Sequence, residues 1–393
     1  MDFSFSNSSW QAQNLPEGFS LNGGVISGSH SIKGSYSVPV TVNTDFGADT
    51  NNITINVRSR PGTENFPILQ NGIEIEQVTI PQLVASIRDG TAQQKYNCTN
   101  TQIVIPVIVP HIFWGTWNHG LTIYYEYNYT TQNVNVNFCD FQNVTLLDGS
   151  VKLGLILQFD KAIWTCYTSF DTPDNEDKYY HNRWKFSNLR QWLNSSGKNW
   201  FSPAYTGDTL FDDFSFGECA YFAQQETSGF LSLLPDDLQE ALLPTRIVTA
   251  VYWDDDNYNI PDPELIDNID CDVSFDKVFI PSLSQMAFYE NFEETSFGGS
   301  YEVASIEGEA WAFYSFLREN HTMGDHLNTL LEDEIIEQHA ISSHTGRLSR
   351  SPCLDDNTHI FYVSEGDENT GRIGVTTTCS ELFASPAPAF VLC

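Results

Sequence analysis

WKFSNLRQWLN, residues 184–194, decides how the C-terminal part of the chain folds. Ser187 is a residue type that caps helix N-termini, and Leu189, Trp192 and Leu193 recur behind it at helical spacing. The stretch reads as a short helix that turns an apolar face with large rings into a core. Trp184, Trp192 and the later Phe279 are read as core rings rather than as a platform for sugars. Arg190 and Arg350 are read as partners for carboxylates or carbonyls inside the domain.

Outward from this helix the pattern is mixed α+β, from residue 148 to residue 393. GSVKLGLILQFDKAIWTCY is strand-like. LPDDLQEALLP reads as a second short helix, with Pro235 near the first turn, acids after it, and Leu238, Ala241 and Leu242 as the buried stripe. TRIVTAVYW and DKVFIPS read as strands, EAWAFYSFLREN and HLNTLLEDEIIEQHA as helices, and the last segment as strand and turn. Upstream the pattern is all-β. Residues 1–60 alternate strictly in YSVPVTV, where Tyr36, Val38, Val40 and Val42 share a face, and in ITINV, with Ile53, Ile55 and Val57. Pro39 on the other face suggests an edge strand. Residues 61–147 carry IEIEQVTI, QIVIPVIV, LTIYYEYNY and VNVNFCDF between Asn-rich turns, with no helix expected. The fold class is therefore multi-domain: a small β-sandwich, a second β-rich domain and an α+β domain.

Length and composition agree with several units: 393 residues, 41% hydrophobic and 13% aromatic. The 51 acidic against 18 basic residues give a formal net charge of −33, which argues against binding nucleic acid or an anionic membrane surface. The opening MDFSFSNSSWQAQNLPEG has no basic n-region and no apolar h-region, so a signal peptide is not expected. The apolar run IVIPVIVPHIFW, residues 103–114, is too short to span a bilayer as a helix and contains two prolines. The cysteines at 98, 139, 166, 219, 271, 353, 379 and 393 form no CxxC pair and are expected to be free, mostly buried thiols.

Two resemblances add to this reading. LPEGFSLNGGVISGSHSIKGSYSVPVTV resembles the immunoglobulin-like repeat of surface adhesins and phage proteins, through Leu15, Pro16, Gly18, Gly24, Ile26, Gly28, Gly34 and Tyr36. The resemblance implies an Ig-like β-sandwich serving as a spacer or assembly unit, with its glycines at turns of positive φ. The C-terminal region resembles a family of gut bacteria and their phages that ends in a formylglycine-generating-enzyme-like or C-type-lectin-like fold. Its first hallmark is Trp184, Ser187, Leu189, Arg190, Trp192, Leu193 and Asn194. The second is Asp276, Val278, Phe279, Ile280 and Ser282. The third is Leu348, Ser349, Arg350, Ser351 and Pro352, followed by Ala387, Pro388, Ala389 and Phe390. Leu348 and Ala387 depart from the aromatic and the arginine of that pattern, which puts a shared ligand in doubt and leaves the fold.

These resemblances, with the missing leader, imply a bacteriophage virion surface protein: a head fibre, capsid decoration or tail-associated fibre, made in the host cytoplasm. Its expected partners are other virion proteins, further copies of itself in a homo-oligomer (a trimer or another symmetry), and a host surface glycan. A purely structural particle component, a glycan-active enzyme and a bacterial surface adhesin are the alternatives. No enzyme is expected. Cys353 and Cys379 have no activating base in a motif, no GxSxG marks a nucleophile, and His321 with His326 or Glu334 with His339 lack a usual metal-ligand spacing. In C-type-lectin-like folds the C-terminal loops make the binding surface. Here that points to Asp355, Asp356, Asn357, His359, Tyr362, Glu365, Asp367, Glu368 and Asn369, against the alternative of an ordinary polar turn.

One acidic cluster, Asp254, Asp255, Asp256, Asn257 and Asn259, offers the hard oxygens that calcium prefers, without the glycine and twelfth-position glutamate of an EF-hand. It reads either as a calcium site or as a solvated acidic loop. Calorimetric titration separates the two: the site gives a heat of binding and a raised Tm, the loop gives neither.

Overall fold

The computed structural model describes residues 9–28, 34–44, 47–57, 64–116, 123–161, 182–196, 229–251, 264–288, 292–293, 300–301, 305–320, 346–352, 359–364, 373–377 and 386–393. They form mostly β-strands in several sheets, with few helices, in two units that part between Glu64 and Asn65.

The first unit contains β1 (Ser9–Ala12), β2 (Phe19–Asn22), β3 (Val25–Gly28), β4 (Gly34–Thr44) and β5 (Gly47–Val57). Strands β1, β4 and β5 form one antiparallel sheet, and β2 and β3 form a hairpin. Gly23 (φ +54°) and Gly24 (φ +83°) make its two-residue turn, where both residues need positive φ. A side chain at Gly24 would also meet the Trp10 indole at 3.0 Å. Of the other motif glycines, Gly18 has positive φ, whereas Gly28 and Gly34 end or start strands. The expected edge position of Pro39 is corrected: β4 is the middle strand. Pro39 stands just past the last β1 pair, Ala12 with Val40, and its carbonyl accepts the Gln13 amide at 3.0 Å. The ring thus falls where the β1 ladder has already ended.

The second unit opens with β6 (Phe66–Gln70), β7 (Ile73–Val78), α1 (Ile80–Arg88), α2 (Thr91–Lys95), β8 (Thr101–Thr116), β9 (Ile123–Thr145) and β10 (Val151–Phe159). Then follow α3 (Asn188–Leu193), α4 (Asp236–Ala241), β11 (Thr245–Ala250), β12 (Glu264–Ile266), β13 (Ile269–Asp276) and β14 (Val278–Phe279). The unit closes with β15 (Phe292–Glu293), β16 (Ser300–Tyr301), α5 (Ala312–Glu319), β17 (Gly346–Pro352), β18 (His359–Ser364), β19 (Ile373–Thr377) and β20 (Ala389–Leu392). A seven-stranded sheet in the order β14-β20-β10-β9-β8-β6-β7 is its backbone. Three-stranded sheets β11-β13-β12 and β17-β18-β19 and the pair β15-β16 accompany it.

Three expectations for residues 61–147 need correction. The border at 147/148 falls inside the large sheet: β10 pairs with β9 on one side and with the C-terminal β20 on the other. The reason lies in β10 itself, whose residues from Gly154 to Phe159 are all buried, so the strand is covered on both faces and is central to a core. The described part of LTIYYEYNY, from Ile123 on, and VNVNFCDF are not separate strands but parts of the single long β9. And the region does hold helices. Thr79 and Gln82 form a capping box at the start of α1, and Ile80, Leu83, Val84 and Ile87 bury its inner stripe against β10 and α4. The expected helix in HLNTLLEDEIIEQHA lies outside the described residues.

Thr79→Ala removes the hydroxyl that accepts the Gln82 amide. It should cost about 1 kcal/mol in denaturant unfolding, whereas Thr79→Ser should cost only a fraction of that.

Candidate functional site

The three C-terminal hallmark segments meet in the interior. Trp184 and Phe186 lie in a 3-10 turn, Trp184–Phe186, that leads into α3, and Ser187 caps α3 by accepting the Arg190 amide. This entry aims two donors at Asp276, the last residue of β13. Trp184 Nε1 donates to its Oδ2 at 2.9 Å and Arg190 Nε to its Oδ1 at 2.6 Å, while Ser274 Oγ donates to Oδ2 at 2.8 Å. Asp276 and Trp184 are fully buried, and Arg190 is partly exposed. Asn194, at the end of α3, continues the contact. Its side-chain oxygen accepts the amides of Lys277 and Val278, and its amide donates to the Val278 carbonyl. Val278 and Phe279 then pair with Phe390 and Ala389 of β20.

A second buried ion pair stands beside the first. Arg183 grips Asp272 with Nε at 2.8 Å and NH2 at 2.6 Å, their side chains 2% and 3% exposed, and the Arg183 guanidinium lies over the Phe186 ring. Further along, Arg350 is wholly buried. It donates to the carbonyls of Ile280 and Glu307 and to the Gln285 side chain, at 2.7–2.8 Å. The Glu307 carboxylate accepts the Ser351 hydroxyl and the Ala250 amide. Gly308, at φ +129°, leaves room for Gln285, whose side-chain nitrogen lies 2.8 Å from where a Cβ would stand. The expected roles of Arg190 and Arg350 thus hold, as do those of Trp184, Trp192 and Phe279 as core rings. Trp192 packs on Phe230, and Phe279 on Trp311.

This cluster binds chain to chain. Its charges face one another, Arg183 and both aspartates buried and Arg190 partly exposed, a geometry that fixes segments to one another. Sequence reasoning missed Arg183, Asp272, Glu307 and Gln285. Nothing local marks the first within HNRWKF, where Lys185 carries a second positive charge, and the others sit among many acids and amides.

Of the expected contact residues, only positions 359 and 362 fall within the described residues, in β18; Asp355, Asp356, Asn357, Glu365, Asp367, Glu368 and Asn369 lie outside. Pro352 and His359, which bracket residues 355–357, stand at one end of β18, and Ser364 and Ile373, which bracket 365–369, at the other. The ends of this six-residue strand are about 17 Å apart. Between them Ile360 and Phe361 are both buried, so β18 is covered on both faces. The calcium candidates Asp254, Asp255, Asp256, Asn257 and Asn259 also lie outside the described residues. Among those described, no group of His, Cys, Asp and Glu is placed to hold a metal, and no helix is long and apolar enough to cross a membrane.

The described cysteines, Cys98, Cys139, Cys271 and Cys393, are buried thiols, and that of Cys139 donates to the Asn137 carbonyl. Burial, helped by the Asp140 carboxylate, pushes the Cys98 thiol up to about 12, and burial with Glu307 nearby pushes Cys271 up to about 11. Neither is an activated nucleophile. Protein-family models, curated proteins and solved structures were each compared with the chain, and none matches it.

Asp272→Asn or Arg183→Met should each cost about 3–5 kcal/mol in equilibrium unfolding of the full chain, because the remaining partner is stranded in the core. The double variant Arg183→Met, Asp272→Leu should recover much of that loss.

Proposed function

We propose that the chain is a non-enzymatic bacteriophage virion surface protein, a head fibre, capsid decoration or tail-associated fibre. In this reading the first unit is an Ig-like spacer, and the C-terminal region is a C-type-lectin-like scaffold whose loops touch a host surface glycan. One observation carries it: Trp184, Trp192 and Phe279 of the hallmark motifs are consumed in packing, and Arg190 and Arg350 in internal bonds. A frame held by its own internal packing suits a recognition scaffold. The net charge of −33 suits a protein kept soluble at high local copy number, and works against a partner made of nucleic acid. Assembly with other virion proteins, as a homo-oligomer on the particle, belongs to the same reading.

Negative-stain imaging of purified particles labelled with antibody to this chain tests it. Regular labelling at one particle location is the expected result, and particles without the chain overturn the viral reading. On labelled particles, alanine substitution of Asp355, Asp356, Asn357, Glu365, Asp367, Glu368 and Asn369 should lower host adsorption; unchanged adsorption leaves a purely structural component.

A further inference from the structure

The tip of the β6–β7 hairpin carries the dipeptide Asn71-Gly72. These are the two residues of the turn between the paired Gln70 and Ile73. Asn71 (φ +51°) and Gly72 (φ +76°) both have the positive φ that a two-residue turn of this kind requires. Both are exposed, and a Cβ placed on Gly72 would meet nothing within 4 Å. The Asn71 backbone amide donates to the Asn100 carbonyl at 2.9 Å, which ties the turn to the segment before β8. Ile73, the next residue, is 70% exposed, whereas Phe66, Ile68 and Val78 bury the base of the hairpin.

The residue types that suit this turn also react with one another. Asparagine is thermolabile, because its Cγ can close a five-membered ring with the next backbone nitrogen. Glycine at that next position has no side chain to obstruct the approach. In the first step the Gly72 nitrogen gives up its proton and bonds to Asn71 Cγ. The Cγ–Nδ2 bond breaks, and Nδ2 departs with that proton as ammonia. Solvent water then opens the cyclic imide. Breaking the new bond to Cγ gives aspartate. Breaking the original peptide bond gives isoaspartate, whose chain runs through Cβ and Cγ. Ring closure needs rotation about the Asn71 Cα–C bond, hence a brief opening of the turn, and exposed tips are where opening costs least.

We infer that Asn71 is a site of spontaneous deamidation in the folded chain, and that isoaspartate formed there unpins the tip of the β6–β7 hairpin. Aspartate at this position keeps the turn, since it too tolerates positive φ, and adds a carboxylate close to Glu74 in a chain already at −33. Isoaspartate inserts one more backbone atom between Gln70 and Ile73. A two-residue turn has no room for it, so the Gln70–Ile73 pair is lost while the buried base of the hairpin holds. The other Asn-Gly of the chain, Asn22-Gly23, stands differently. Asn22 pairs with Val25 inside β2, and glycines alone make that turn.

Peptide mapping by mass spectrometry tests it, on the full chain held folded at mildly alkaline pH in heavy-oxygen water. The peptide spanning Asn71 should exchange its amide nitrogen for one heavy oxygen and split into two chromatographic products. Their yield should grow with time and with pH. Asn71→Gly, which keeps a turn of positive φ, should show no such change there. A chemically denatured sample supplies the clock. An amide still intact at Asn71 after about ten times the period that converts the denatured chain overturns the inference. Hydrogen exchange reads the second half of it. In the isoaspartate product the β7 amides nearest the tip should exchange about tenfold faster or more, with circular dichroism unchanged. Equal rates in fresh and isoaspartate-bearing chains overturn the unpinning.

Discussion

The Asp276 carboxylate is the constraint on which the second unit depends. A carboxylate carried into a dry core costs several kcal/mol unless strong donors meet it, and here an indole, a guanidinium and a hydroxyl do so together. Those donors come from the 3-10 turn before α3, from α3 itself and from β13, so satisfying one side chain sets the pose of three segments. The next residues extend the effect. Asn194 catches the backbone at Lys277 and Val278, and Val278 leads directly into the pairing with β20. Strand β20 in turn borders β10, which lies in the middle of the large sheet. One buried charge is thereby linked, bond by bond, to the C-terminal strand and through it to the interior of the large sheet.

Buried ion pairs add little net stability over apolar packing of the same shape, so their use here is better understood through geometry. Apolar side chains tolerate sliding. A guanidinium fork does not, because its N–H directions are fixed in one plane. Arg183 therefore holds Asp272 with two bonds at one angle, and Arg350 joins the carbonyls of Ile280 and Glu307 with the Gln285 amide. The segments joined at Arg350 belong to β17, the turn after β14 and the turn before α5, none of which contributes a long strand to the large sheet. Where ladders are short, directional side-chain bonds take over the task of setting position.

Much of this frame is readable from local pattern. Ser187 before an apolar stripe gives α3, and the stripe in EAWAFYSFLREN gives α5. Helix α1 obeys the same rules through Thr79, Gln82 and its apolar spacing, yet the strict alternation of IEIEQV just before it carries the strand reading across the boundary. The merging of the middle region with the C-terminal one is harder to read. Nothing local shows that AFVL at the end of the chain pairs with LILQ of β10, because strand partners are chosen by non-local burial. The site was legible in a divided way. Motif rings and arginines declared their burial through residue type, whereas Asp272, Glu307 and Gln285 took their roles from a three-dimensional meeting that no spacing encodes. Positions 357 and 365 are close in sequence, but the described residues beside them, His359 and Ser364, stand at opposite ends of β18, which sequence distance conceals.

The cysteines bear on the same logic. In small secreted domains disulfides supply the restraint that a thin core lacks. Here Cys98, Cys139, Cys271 and Cys393 are buried thiols, and burial holds those of Cys98, Cys271 and Cys393 in the protonated form, as small apolar packing groups. The second unit has a continuous core, running from Phe66 to Cys393, so cross-links are not needed to make folding favourable. What a large core lacks is a reason to choose one arrangement of short strands and turns over its near neighbours. Buried charge supplies that reason, since an arrangement that misplaces Asp276, Asp272 or Glu307 by one residue strands a carboxylate in the interior. The apolar core gives this fold its stability, and the polar clusters inside it make that stability specific to one chain path.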